Sequence, residues 1–299
     1  MTEITIRQAC PDDAFLLAPL LNSTQEPHFH TTAERLRAAM QKEDAVKYLL
    51  AERAGQLLGS VSLSFPDFHP QHVWLRFALH PDHRAGREAA GLFQKAGALA
   101  QGRPFAWTSV RADYLSTQPD LPALGFHEVH RTFGGGFYLD APPASRQRLE
   151  DDLAQHGIRI TPAAGFQGDP RLETLYQTVK QDKATAEPTI PAANDLLNDP
   201  ESLWDAAFVA LRGAEALGLV LPERARLGAW NAVLLVRQDM RRQGIGTALQ
   251  ARACAALWTQ GVTFLNTAGV KTDRAYLGVL RQLGANIEPD WIAYEAVMA

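Results

Sequence analysis

A chain of 299 residues is long enough for about two domains of ordinary size. With 46% hydrophobic and 21% charged residues it has the mix of a soluble globular protein, and a net charge of -4 argues against a general nucleic-acid binder, which needs a basic face. Cys10 and Cys254 fit no zinc or disulfide spacing, the N-terminus lacks a signal-peptide apolar region, and no apolar run is long enough for a span; no metal, no membrane and a reducing cytoplasmic location are expected.

Residues 4–7 alternate Ile-Thr-Ile-Arg and predict a short strand, followed by a helix over 12–21. His28-Phe29-His30 has two imidazoles but no third ligand at metal spacing, which favours surface histidines. Strands follow at 47–53 and 56–63, the second carrying Gly59. A longer strand puts Val73, Leu75, Phe77 and Leu79 on one face and Trp74 and Arg76 on the other, where they line a pocket or cover the sheet. His80 and His83 are expected to be solvated. The turn Arg84-Ala85-Gly86-Arg87-Glu88-Ala89 opens a helix, and Leu124-Gly125-Phe126 precedes a closing strand. Gly134-Gly135-Gly136 is followed by a strand at 137–139 rather than a helix, so a bulge or turn explains it better than a phosphate loop.

Prolines in Ala141-Pro142-Pro143-Ala144-Ser145 stop that strand and stiffen a linker, and residues 146–155 read as a connecting helix. The second half then repeats the landmarks of the first: a strand at 158–161, a helix at 170–179, strands at 206–212 and 214–221 with Gly218, a longer strand at 230–236, an arginine-bearing turn, a helix, Leu283-Gly284-Ala285 and a closing strand. Residues 183–194, with Pro188 and Pro191, read as an irregular loop of the kind that shapes substrate pockets. Ile6 and Ile160, Gly59 and Gly218, Arg84 and Arg241, and Gly125 and Gly284 lie 154, 159, 157 and 159 positions apart. Such a near-constant offset marks an internal repeat, with domains at 1–140 and 158–299 joined by 141–157. Two unrelated α+β domains of similar length are the alternative.

The second copy's turn carries the chemistry. Trp230, Ala232, Leu234 and Val236 fall on one face of its strand, and Arg237-Gln238-Asp239-Met240 leads into Arg241-Arg242-Gln243-Gly244-Ile245-Gly246-Thr247-Ala248. Ile245, Leu249, Ala253 and Ala256 make a helical face, and Gly261 is placed to cap it. Unpaired N–H groups at such a helix start, the helix dipole, glycines at 244 and 246 and the charges of Arg237, Arg241 and Arg242 together suit a pyrophosphate. A dinucleotide fingerprint would need a third glycine, which Thr247-Ala248-Leu249 does not supply, and no Walker A loop is present. Glycines for packing alone are the other reading. In the first copy Arg87 stands at the glycine position and Glu88 adds a like charge, so that turn is not expected to bind.

Arg241-x-x-Gly244-x-Gly246, between a strand and a helix, resembles the Arg/Gln-x-x-Gly-x-Gly/Ala signature of the GCN5-related N-acetyltransferases (GNATs). The resemblance covers nearly the whole chain, once per half, and the layout resembles the tandem group that includes mycothiol synthase. It implies an α+β fold of two tandem mixed, mostly antiparallel sheets flanked by helices, with the strands bearing Leu79 and Val236 splayed from their neighbours. It implies acetyl-CoA as co-substrate, with backbone groups of Leu234 and Val236 on the pantetheine arm. The amides of Arg242, Gln243, Gly244, Ile245, Gly246 and Thr247 would hold the pyrophosphate, and a backbone N–H near Val236 the oxyanion. The implied reaction is acetyl transfer to a primary amine of a small molecule. The alternatives are an acyl-CoA-binding module with little turnover and a pseudo-dimer in which neither copy binds CoA. The family's glutamate on the preceding strand is absent, Trp230 and Asn231 standing there, and its tyrosine position holds Leu280. Tyr276, one helical turn earlier, is the candidate acid or else packs against the sheet. A monomer, itself an internal pseudo-dimer, or a weak homodimer is expected, with no nucleic-acid partner.

Overall fold

The computed structural model describes all residues except 1, 2, 43–45, 68, 142–145, 183–196, 226, 227 and 299. Residues 142–145 of the expected linker and all of the loop at 183–194 lie outside the described residues. Contacts divide the chain into two units, Met1–Arg131 with Pro289–Ala299, and Thr132–Glu288.

The first unit holds β1 (Thr5–Gln8), α1 (Ala14–Asn22), α2 (Ala33–Met40), β2 (Lys47–Arg53), β3 (Gln56–Ser64), β4 (His72–Leu79), α3 (Arg87–Gly97), β5 (Phe105–Arg111) and β6 (His127–Phe133), whose last two residues belong to the second unit. The second unit holds β7 (Gly135–Tyr138), α4 (Gln147–Gln155), β8 (Ile158–Pro162), α5 (Pro170–Asp182), β9 (Phe208–Arg212), β10 (Glu215–Arg224), β11 (Ala229–Val236), α6 (Ile245–Thr259), β12 (Phe264–Asn266), β13 (Gly269–Val270), α7 (Arg274–Gln282) and β14 (Asn286–Ile287). The last strand, β15 (Trp291–Val297), returns to the first unit.

Strand order is β1-β2-β3-β4-β5-β15-β6 in the first unit and β14-β7-β12-β11-β10-β9-β8 in the second. The β4–β5 and β11–β12 pairs are parallel, and the strands before them are antiparallel. This is the α+β architecture expected. In the first unit, β2 to β4 pack Leu49, Val61, Leu75, Phe77 and Leu79 against Leu92 and Ala96 of α3, while α1 and α2 bury Leu17, Leu21 and Leu36 with Leu50 and Ala78. In the second, Leu172 and Leu175 of α5 cover Leu219, Leu221, Val233 and Leu235, and Ile245 and Leu249 of α6 cover Leu217 and Val220.

The closing strands are exchanged between the halves of the sequence. β15 pairs with β5 over seven residues, from Trp291 opposite Arg111 to Val297 opposite Phe105, and Ala296 enters the first core. β7 lies between β12 and β14 in the second sheet. The units therefore part at 131/132 and 288/289 instead of at the expected 140 and 158, because apolar alternation specifies a strand but not the sheet it joins. Glycines allow β7 its place: a Cβ on Gly135 or Gly136 would strike the Asn286 or Leu265 carbonyl oxygen. Of the triple-glycine run, Gly134 lies between β6 and β7, and Gly135 and Gly136 open β7.

Both repeats carry a bulge just before the shared glycine. Ala51 pairs with Gly59 but Glu52 with Leu57; Ala216 pairs with Leu211 but Gly218 with Ala210. A Cβ on Gly59 would come 2.9 Å from Leu79 Cγ, and one on Gly218 would come 2.9 Å from the Leu235 carbonyl oxygen, which is why both sites need glycine. A second bulge occurs in β11 and has no counterpart in β4: Leu221 pairs with Val233 and Glu223 with Trp230, whereas β3 and β4 pair without a break. This corrects the expected face. Leu234 and Val236 pack with Ile245 of α6, but Ala232 packs with Val233 and Leu235 on the opposite side. Two residues against one reverse the alternation.

Candidate functional site

The two parallel strand pairs separate soon after they begin. β4 pairs with β5 only at His72, Val73 and Trp74, leaving the stretch to Leu79 unpaired on that side. β11 pairs with β12 only at Ala229 and Trp230, leaving the stretch to Val236 unpaired on that side. Both copies therefore have the expected splay.

At the end of the open stretch of β11 the chain turns into α6. Arg242 has φ +65 and Gly244, the N-cap, has φ +87. A left-handed N-cap needs glycine, and a Cβ there would also come 2.5 Å from Leu149 Cδ1 of α4. Gly246 is freer: its Cβ would only touch Val236 and Val279 at 3.5 Å, so alanine fits. The two glycines thus answer backbone shape and helix packing, and neither Cβ would project into a space reserved for an anion. The first backbone bond of α6 runs from Ala248 N–H to the Gly244 carbonyl, and the amides of Arg242, Gln243, Gly244, Ile245, Gly246 and Thr247 find no acceptor among the described residues. Six successive donors at a helix start form a cradle suited to an anion.

The three arginines behave differently. Arg241 folds back, its Nε donating to the Val236 carbonyl at 3.0 Å, and so braces the turn. Arg242 is exposed at the turn. Arg237 is taken up by Asp239, at 2.6 and 2.9 Å, and by Glu215; these hold its pKa above the usual range, and its side chain lines a depression of about 380 Å³ beside Arg171 and Thr174 of α5. Ile245 is in the core, and Thr247 Oγ1 donates to Gln282 Oε1 of α7 at 3.1 Å.

Tyr276 enters a buried chain of polar groups behind the split. Asp273 caps α7 by accepting the Tyr276 N–H at 2.9 Å, which fixes where the ring leaves the helix. The Tyr276 hydroxyl accepts from Asn231 Nδ2 at 2.9 Å and shares a hydrogen bond with Thr267 Oγ1. Asn231, at the β11 bulge, also donates to Gln250 Oε1 of α6 at 2.7 Å. Burial pushes the Tyr276 hydroxyl above the ordinary phenol range, against those hydrogen bonds, which pull it down. Sequence reasoning missed Gln250 and Thr267, because no spacing rule joins residues on β11, on α6 and just after β12.

The matching turn of the first unit already holds an anion. Glu88, 4% exposed, lies against the N-cap of α3, where a Cβ on Gly86 would collide with its carboxylate. Arg53 Nη2 donates to Glu88 Oε1 at 2.9 Å, and His83 Nδ1 lies 3.2 Å from the same oxygen. His83 is thus paired, contrary to the solvated position expected, while His80 is exposed. Trp74 donates to His69 Nδ1 at 2.9 Å and stacks near Trp107; Arg76 reaches Gln25 Oε1 at 3.0 Å. Both have partners of their own.

No protein-family model matches the chain, and no curated protein matches its sequence. Its fold has clear likenesses. A GCN5-related N-acetyltransferase from Sphaerobacter thermophilus, 16% identical, superposes with a TM-score of 0.68 over 99% of this chain and 96% of that one. A tandem GNAT protein from the clavulanic acid biosynthesis pathway, also 16% identical, aligns over 99% of both chains with a TM-score of 0.56. The chain carries the tandem GNAT fold. A GCN5-related glucosamine N-acetyltransferase region of a fungal β-N-acetylglucosaminidase shares this tandem GNAT fold over 99% of the chain and 38% of its own length, at 14% identity and a TM-score of 0.59. Among the described residues no helix is long and apolar enough to cross a membrane, and no cluster of His, Cys, Asp and Glu is placed to hold a metal ion.

Proposed function

We propose that the protein is an acetyl-CoA-dependent N-acetyltransferase acting on a primary amine of a small molecule, with its cofactor held by the second unit. The observation that carries this reading is the run of six unengaged amides from Arg242 to Thr247 at the end of a strand that has left its partner. The amides and Arg242 hold the pyrophosphate by charge-assisted hydrogen bonds, and Gly244 gives the turn its shape. Backbone groups of Leu234 and Val236 steady the pantetheine arm along the open edge of β11. Acetyl-CoA, when bound, supplies an activated acetyl thioester; positioning an amine beside it is the main task of the chain. β11 carries no carboxylate, and the Tyr276 hydroxyl is already bonded, which favours as second reading an acyl-CoA-binding module with slow turnover.

Isothermal titration tests the assignment. Gly244→Glu adds bulk, strain at φ +87 and a like charge, and is expected to abolish CoA binding. Arg84→Ala, in the turn already filled by Glu88, is expected to leave it nearly unchanged. The reverse pattern would assign the cofactor to the first unit. Absence of any melting-temperature rise at millimolar CoA would remove the cofactor reading, since a ligand specific for the folded state must stabilise it. Thiol release from acetyl-CoA over a panel of amines separates transferase from binding module.

A further inference from the structure

The connecting helix α4 packs on the cofactor turn itself. Leu149 meets Gly244, and Glu150 accepts from Arg252 Nε of α6 at 2.7 Å, so α4 lies along the start of α6. Arg146, the N-cap of α4, stands three positions before Leu149 and shares its side of the helix. Its Nη2 donates to the Gln282 carbonyl oxygen at 3.1 Å. Gln282 in turn accepts from Thr247, in the first turn of α6, at 3.1 Å. One residue therefore separates the Arg146 guanidinium from the amide cradle.

The electrostatics of Arg146 are unfinished. Its Nε is buried and has no hydrogen-bond partner, and it makes no ion pair among the described residues. A guanidinium cannot shed its proton or accept a hydrogen bond, so a buried N–H on it is satisfied only by an acceptor, best an anion. Arg237 is neutralised by two carboxylates and Arg241 braces a carbonyl. Arg146 thus brings to this turn a cation with a buried donor that has no acceptor among the described residues.

We propose that Arg146, from the segment joining the two repeats, is a phosphate ligand of the bound cofactor and closes the pyrophosphate cradle from the side of α4. This rests on the cofactor reading above. Titration of the full chain with CoA and with 3′-dephospho-CoA, at low and high salt, tests it. Arg146→Ala is expected to weaken both ligands about tenfold or more, and to flatten the salt dependence by the loss of one charge. Arg146→Lys, which keeps the charge but not the fork, is expected to fall between. Leu149→Ala loosens the same helix without touching charge and should keep the wild-type salt dependence. Arg146→Ala binding CoA within twofold of wild type would overturn the proposal while leaving the cofactor reading intact. Loss confined to CoA, with 3′-dephospho-CoA unaffected, would overturn it too, since the contact would be to the 3′-phosphate. A wild-type chain that binds neither ligand would remove the cofactor reading first and this assignment with it.

Discussion

Gly244 and Arg87 stand at matching places in the two repeats, and the difference around them is one of charge already spent. Beside Arg87 the helix start faces Glu88, held by Arg53 and His83; beside Gly244 six amides face no acceptor among the described residues. Tyr276 shows how a side chain of the right type can be committed elsewhere. Its hydroxyl links Asn231 to Thr267, so Tyr276→Phe is expected to cost about 1–2 kcal/mol of stability in urea denaturation. Amine acetylation should then stay within about tenfold of wild type. A loss of a hundredfold or more in kcat with stability unchanged would make it the proton donor instead. Asp13 offers a pH test in the first unit. Hydrogen bonds from Arg7, both 2.7 Å, outweigh burial and hold its carboxyl at about 2, below the ordinary 3.8. A depressed folded-state pKa contributes stability that is complete above 3.8 and is lost as pH falls through about 2. Asp13→Asn should destabilise by about 2 kcal/mol at neutral pH. The gap to wild type in denaturant titrations should close between pH 3.8 and about 2.

Elements of like sequence have diverged in what they support. The stretch matching α7 in the first unit holds short 3-10 turns at Ala112–Thr117 and Pro122–Leu124, because Pro119 and Pro122 cannot donate to a helix ladder. The second unit has no proline there and builds α7, which carries Tyr276 and Gln282 to the split and the turn. The bulge in β11 turns Asn231 toward Gln250 of α6, whereas unbroken β4 turns Trp74 toward Trp107. The exchanged strands give the sharpest test at this scale. Deleting residues 289–299 removes β15, the seven-residue partner of β5, and Ala296 from the first core. Hydrogen exchange should then lose protection at Phe105–Arg111 of β5, while β11 stays protected and CoA binding persists. Equal loss at β11 would show that β15 supports both sheets.

For the whole molecule, two repeats of one fold differ at the helix start, and one CoA per chain is the expected stoichiometry in the titration described above. Much of this was legible in the sequence, because it depends on local rules. Apolar period marked the strands and helices, the offsets from Ile6–Ile160 to Gly125–Gly284 marked the repeat, and two glycines after Arg241 marked the turn that opens a helix. Other features needed three dimensions. Which sheet β7 and β15 join depends on long-range edges and on room beside Leu265 and Asn286. That Arg237 is spent on Glu215 and Asp239, that Glu88 fills its own turn, and that Arg146 reaches Gln282 depend on side chains 22, 35 and 136 positions apart. Amino-acid sequence specified backbone shape and the charges available, since those follow from neighbours along the chain. Which charges remained free to meet a ligand was decided by packing, because only folding brings distant donors and acceptors within hydrogen-bond reach.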